Sequence, residues 1–142
     1  MANIFDVAKY IISQKGSMSS WKLQKLCYYS QAWHYTWTEK PLFPNRIEAW
    51  ANGPVVVDLY RQHKGLFMIH EIPIGDINSL SDDEKDSVNV VLRGYGDKEP
   101  YELVELTHHE KPWLLARNGL PEGAKCSNEI TLESMGEYYG SL

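Results

Sequence analysis

Between Ile4 and Ile12 the apolar residues Ile4, Val7, Ala8, Ile11 and Ile12 follow the repeat of an amphipathic helix, with Asn3 placed to cap it and Gly16 to end it. A second helix follows, opened by Ser19 or Ser20. Its sequence, K-L-Q-K-L-C-Y-Y-S-Q-A-W-H-Y-T-W from Lys22 to Trp37, carries aromatic residues nearly all the way round. Leu23, Leu26, Cys27, Ser30, Trp33, His34 and Trp37 form one stripe, about a third of the circumference at ~100° per residue. Trp21, Tyr28, Ala32 and Tyr35 lie opposite. Two apolar stripes facing apart predict neighbours on both sides, so this helix is expected to be the central, buried post of the domain.

The prolines of K-P-L-F-P-N-R break that helix, and R-I-E-A-W-A then alternates as a half-buried strand does. Asn52-Gly53-Pro54 reads as a turn, and Pro54 is suited to the first turn of another helix, V-V-V-D-L-Y-R-Q-H-K, ended by Gly65. M-I-H-E-I-P-I-G is expected to be extended and to pair with Ile47 to Trp50, its proline confining it to an edge. Ser81, followed by Asp82, Asp83 and Glu84, marks a helix start that leads into Val88, Val91 and Leu92. Pro100 sets up a helix over Y-E-L-V-E-L-T-H, Pro112 a short one to Arg117, and Ile130 to Tyr139 a terminal one with Thr131 near its cap. N-G-L-P-E-G-A-K-C-S-N is a loop. The fold class is therefore mainly α (α+β): a compact helical domain around a central buried helix with a minimal two- or three-stranded β element.

At 142 residues the chain suits one domain, residues 1–142, and can bury roughly 70% of the surface its unfolded form exposes. No repeat, low-complexity run or linker suggests a second. The apolar fraction is 43% and the charged fraction 23%, which places the chain among globular proteins rather than disordered ones. The net charge of −5 argues against non-specific affinity for phosphate backbones and makes nucleic acid an unlikely partner; Lys22, Lys25 and Arg46 are the candidates for a local basic recognition patch. Cys27 and Cys126 lack a C-x-x-C pattern and read as reduced thiols of a cytoplasmic protein. No stretch reaches the ~20 apolar residues that span a bilayer, and the N-terminus, with an early acid and a lysine inside its apolar run, does not resemble a signal peptide.

Candidate chemistry is sparse. His108-His109-Glu110 is the sole cluster of metal-ligating types, but neighbouring side chains on a helix point about 100° apart, so no metal site is expected; no cofactor motif is present either. His108 reads instead as a hydrogen-bonded, partly buried residue and His109 as solvated. Neither a G-x-S-x-G elbow nor a reactive-cysteine signature occurs. A hydrolytic enzyme would have to use Glu48 and His108, joined by Glu110, for acid–base work. The aromatic residues are more telling: Tyr28, Tyr29, Trp33, Tyr35, Trp50 and Trp113 exceed what one small core readily absorbs, and tyrosine and tryptophan favour protein interfaces.

Three stretches in order, K-L-Q-K-L-C-Y-Y-S-Q-A-W-H (Lys22–His34), I-E-A-W-A-N-G-P-V (Ile47–Val55) and L-T-H-H-E-K-P-W (Leu106–Trp113), resemble the Panacea domain, a SocA-like antitoxin family first catalogued as phage-associated proteins. Val57 stands where relatives often carry proline. The resemblance implies a mainly helical, non-enzymatic domain of bacteria and their prophages that neutralises a toxin encoded beside it by direct protein contact. Some members resemble adaptors that present the toxin to a protease, and a DNA-binding regulator of phage origin is the other alternative. The expected partner-binding patch comprises Tyr28, Tyr29, Trp33, Trp50, Asn52, His108, Glu110 and Trp113, on an acidic surface suited to a basic partner. The identity of the toxin and the oligomeric state stay open.

Overall fold

Helix α1 spans Ile4–Lys15 and begins as its sequence dictates. The Asn3 side chain accepts from the amides of Phe5 and Asp6, and the Asp6 carboxylate accepts from the Asn3 amide, so donors that a helix start leaves orphaned are satisfied. The computed structural model describes all 142 residues, in seven helices and two small antiparallel sheets. Helix α2, Ser20–Thr38, is capped by Ser19 and ends where Glu39 turns left-handed at φ 59°.

Every residue of α2 from Leu23 to Ala32 is buried, so the helix is the central post that its two stripes predict. It packs against α1, against α4 (Asp82–Tyr95), α5 (Pro100–His108) and α7 (Leu132–Gly140), and against a β-hairpin. Its ends depart from the expectation: Trp21 and Trp37 stand 46% and 47% exposed, because the neighbouring helices cover only the middle turns. Side chains buried on all sides need partners for their polar atoms. Gln31 illustrates this, donating to the Phe43 carbonyl at 2.7 Å and accepting from the Leu42 amide at 2.7 Å, which straps the proline-containing segment onto the helix.

The hairpin pairs β2 (Ile47–Trp50) with β3 (Gly53–Val56), Trp50 opposite Gly53 and Ile47 opposite Val56. The helix expected from Pro54 starts only at Val57, as α3 (Val57–His63). Valine pairs well in a ladder, and the Gln24 side chain grips both backbone groups of Val56, accepting from its N–H at 2.8 Å and donating to its C=O at 3.2 Å, which holds that residue extended. The pairing expected between the segment after Gly65 and Ile47–Trp50 is also corrected. The free edge of β2 is occupied by the 128–130 segment, with the Ala49 amide on the Asn128 carbonyl and the Ile130 amide on the Ile47 carbonyl, both at 2.9 Å. Met68–Ile69 (β4) pairs instead with Met18–Ser19 (β1).

The remaining helices follow their caps. Ser81 and Glu84 form a reciprocal capping box at α4, Pro100 opens α5, α6 covers Lys111–Arg117, and Thr131 caps α7. No helix is long and apolar enough to cross a membrane.

Candidate functional site

A groove lies where the N-terminal turns of α2 meet the hairpin, α3 and the loop before α7. Its volume is about 850 Å³. Ser19 fixes the start of α2 by accepting from the Lys22 amide at 3.2 Å. From that start Trp21, Gln24 and Lys25 fall at i, i+3 and i+4 on the face towards the hairpin. Trp21 stays outside as part of one wall, while Gln24 and Lys25 are buried at 3% exposure each.

The hairpin supplies the facing wall. Trp50 donates from Nε1 to Glu48 Oε1 at 2.9 Å, and Arg46 donates to Glu48 Oε2 at 2.9 Å, so one carboxylate holds both side chains. The Trp50 ring meets Tyr60 of α3 edge-on, centroids 4.8 Å apart. Beyond α3 the chain turns at Gly65 and presents Leu66 and Phe67, 58% and 70% exposed, on the rim. The Ser20 amide donates to the Phe67 carbonyl at 2.8 Å, fastening that rim to the start of α2. Lys64 and Lys125 are the exposed cations of the lining.

The polar floor is unusual for its charge. Lys25 Nζ donates to the Pro54 carbonyl at 3.0 Å. Burial without a neighbouring carboxylate holds its ammonium down to about 7 from the ordinary value of 10.5. Gln24 Nε2 also lies 3.0 Å from His63 Nε2; the amide being the donor, that ring nitrogen accepts, and burial lowers the tendency of His63 to take a second proton.

The expected partner-binding residues divide between this groove and the interior. Trp50 and Asn52 line the groove. Trp113 lies behind it, buried, its Nε1 donating to the Trp50 carbonyl at 2.8 Å, with the His108 ring stacked on it at 4.1 Å and the Arg117 guanidinium 4.7 Å from its centroid. His108 is partly buried, but the hydrogen-bonded role expected for it is corrected: its ring nitrogens have no good partner, Nδ1 lying 3.5 Å from Glu122 Oε1, and burial lowers its proton affinity. Tyr28, Tyr29 and Glu110 sit in the core, so the expectation of an exposed patch containing them, and Trp113, is corrected. The hydroxyls of Tyr29 and Tyr139 both donate to Glu110 Oε1, at 2.7 and 2.8 Å, and Tyr28 and Tyr139 share a hydrogen bond of 3.0 Å. A buried carboxylate consumes these tyrosines as donors, which sequence periodicity does not reveal. Trp33 is half-buried and donates to the Tyr95 hydroxyl at 2.9 Å.

Acid–base use of Glu48, His108 and Glu110 finds three separate environments rather than one: Glu48 is held by Arg46 and Trp50, His108 by ring stacking, and Glu110 by two tyrosines. Lys25, a candidate for a basic recognition patch, is internal, and Arg46 is paired with Glu48 and Glu129. Among the groove residues missed by sequence reasoning are Trp21, Gln24, Tyr60, Lys64, Leu66, Phe67 and Lys125. One signal was available: an apolar Leu66-Phe67 pair directly after a glycine turn. A family model described as "Antitoxin SocA-like, Panacea domain" matches residues 23–114, which runs from Leu23 of α2 through the hairpin, α3, α4 and α5 to the start of α6. No curated protein and no solved structure matches the chain.

Proposed function

We propose, from the premise that this chain belongs to the Panacea-domain family of SocA-like antitoxins, that it neutralises a toxin encoded beside it by direct contact, the toxin docking in the groove between α2, the hairpin and α3. One observation carries this reading. Trp21, Leu66 and Phe67, three of the large apolar side chains that the fold leaves exposed, gather on the rim of one concavity together with Trp50 and Tyr60. Exposed apolar surface is costly in water, and aromatic side chains around a depression are the usual anchors of a protein contact. Binding of this kind needs no reacting group. It needs rigid anchors: Trp21 stands on the central helix, Trp50 on the pinned hairpin and Tyr60 on α3, and the Leu66–Phe67 rim is fastened to α2 through the Ser20 amide.

Expression of the neighbouring gene alone, then together with this chain, tests the reading. Growth arrest by the first and recovery with the second is the expected result. The double substitution Trp21→Ser and Phe67→Ser should abolish recovery and reduce complex affinity by at least about tenfold, roughly 1.4 kcal/mol. Its circular dichroism and melting temperature should stay near those of the parent, since both side chains are solvent-facing. Recovery that survives this variant would place the contact on another face.

A further inference from the structure

The K-L-Q-K-L stretch puts a lysine where the central helix is otherwise closed to water, and nothing in the docking reading explains it. Burying an ammonium costs several kcal/mol, and the group has three N–H donors to satisfy. Lys25 has one acceptor, the Pro54 carbonyl. Each ion pair of the molecule involves other cations, and no carboxylate lies within pairing distance of Lys25. Glu48, the one carboxylate among the groove residues, is already held by Arg46 and Trp50. The hairpin is nevertheless built around this side chain: a Cβ on Gly53 would stand 2.5 Å from Lys25 Cε. A methionine would fill the same space without the desolvation cost. The ammonium is thus under-satisfied and it lines the groove.

Its surroundings give the sign of what is missing. Lys25, Lys64 and Lys125 make the groove locally cationic in a chain of net charge −5. The rim carries Trp21, Trp50, Tyr60 and Phe67, and the groove encloses about 850 Å³. We infer that Lys25 is the receptor for an aspartate or glutamate side chain of the docked polypeptide, the carboxylate entering the groove lined by Trp21, Trp50 and Tyr60 and pairing with the buried ammonium. The apolar rim supplies contact area; the ion pair, formed away from water, supplies selection, because a neutral residue at that point leaves the lysine unpaired. This deepens the docking reading and rests on it for the source of the carboxylate.

The test uses the full-length, ¹⁵N-labelled chain and a pair of pentapeptides, acetyl-Ser-Leu-Glu-Phe-Ser-amide and its glutamine counterpart. It is run at about pH 6, a full unit below the Lys25 value of about 7, where the ammonium is the favoured form and the glutamate stays ionised. The glutamate peptide should shift the indole N–H signals of Trp21 and Trp50 and bind about tenfold or more tightly than the glutamine peptide. Lys25→Met should fold, with stability equal to or above the parent, and bind both peptides alike and weakly. Equal binding to the parent, a preference that persists in Lys25→Met, or shifts mapping away from the groove would overturn the assignment. A third probe pair, 4-phenylbutyrate and its amide, separates sources: acid preference here without any for the glutamate peptide marks a small-molecule carboxylate site and also overturns it. None of these arms uses the neighbouring gene, so failure of the toxin assignment and failure of the carboxylate receptor give different results.

Discussion

Gly53 lies against Lys25 so closely that no side chain fits between them: a Cβ on the glycine would stand 2.5 Å from Lys25 Cε and 3.0 Å from Thr107 Oγ1. The glycine also holds φ at +114°, a region L side chains rarely adopt. Hairpin, central helix and α5 therefore meet at one residue. Gly53→Ala should cost about 2–4 kcal/mol, from backbone strain plus the clash. Pairing it with Lys25→Ala should recover about 1 kcal/mol in a double-mutant cycle, because removing the lysine stem relieves the clash and not the strain. Urea unfolding of the four proteins measures both numbers; additive costs would mean that the two residues do not bear on one another.

Lys25 makes stability depend on pH with a fixed sign. Its folded value, about 7, lies below the unfolded value of 10.5, so between these limits the unfolded chain binds a proton that the native one does not. Its contribution is favourable above 10.5, is lost as pH falls towards 7, and is flat below. Glu48, Tyr60, His63, Lys64, Lys125 and Cys126 are the other ionisable side chains of the groove, and the charge of Lys25 reaches His63 and His108. Lys25→Met should remove this slope and be more stable than the parent by about 1–4 kcal/mol at neutral pH, the gap narrowing as pH rises. Denaturant midpoints at neutral and alkaline pH check this.

Glu110 behaves oppositely. Burial raises its carboxyl above the ordinary 4.5, partly offset by the donors Tyr29 and Tyr139. A raised folded value means stability that is complete below 4.5 and lost as pH climbs through the folded value. Glu110→Gln keeps an acceptor for both hydroxyls and should be mild at neutral pH while erasing that slope. Glu110→Ala strands the buried Tyr29 hydroxyl and leaves Tyr139 only its bond with Tyr28, and should cost about 2–5 kcal/mol. Tyr29→Phe should cost about 1.5–3 kcal/mol and push the carboxyl higher, visible as a shift of the acid limb in pH-dependent melting.

Arg117 holds the loop before α7. Its guanidinium donates to the carbonyls of Ala49 at 3.0 Å, Pro121 at 3.0 Å and Ala124 at 2.6 Å, while the side chain is buried against Trp113. Arg117→Met leaves these acceptors unpaired and should destabilise by about 3 kcal/mol or more. Hydrogen exchange should accelerate first in residues 118–129, including the stretch that contributes Lys125 to the groove. Uniform acceleration across the chain would show that the loop is held by something else.

Helix starts were legible because they are local. Asn3, Ser19, Ser81 and Thr131 each satisfy amides two or three residues away, and a pattern of that range is written in consecutive residues. The post-like burial of α2 was legible for the same reason, from two stripes on one helix. Pro54 was misread because its fixed φ serves a strand edge and a helix start equally, and the deciding hydrogen bonds reach Val56 from Gln24, 32 residues earlier in the chain.

The candidate site was less legible than the fold. Whether a tyrosine faces a partner or an internal carboxylate depends on where Glu110 arrives, and Glu110 lies some eighty residues from Tyr29. By itself the sequence determined that the helices exist, the caps of α1, α2, α4 and α7, the central position of α2 and the family resemblance, all carried by contiguous residues. Only the tertiary structure decided that the edge of β2 is closed by residues 128–130, that four expected contact residues are internal, and that Trp21, Lys25, Trp50, Phe67 and Lys125 share one groove. Those are long-range juxtapositions, fixed by how packed elements exclude one another, and no local periodicity encodes them.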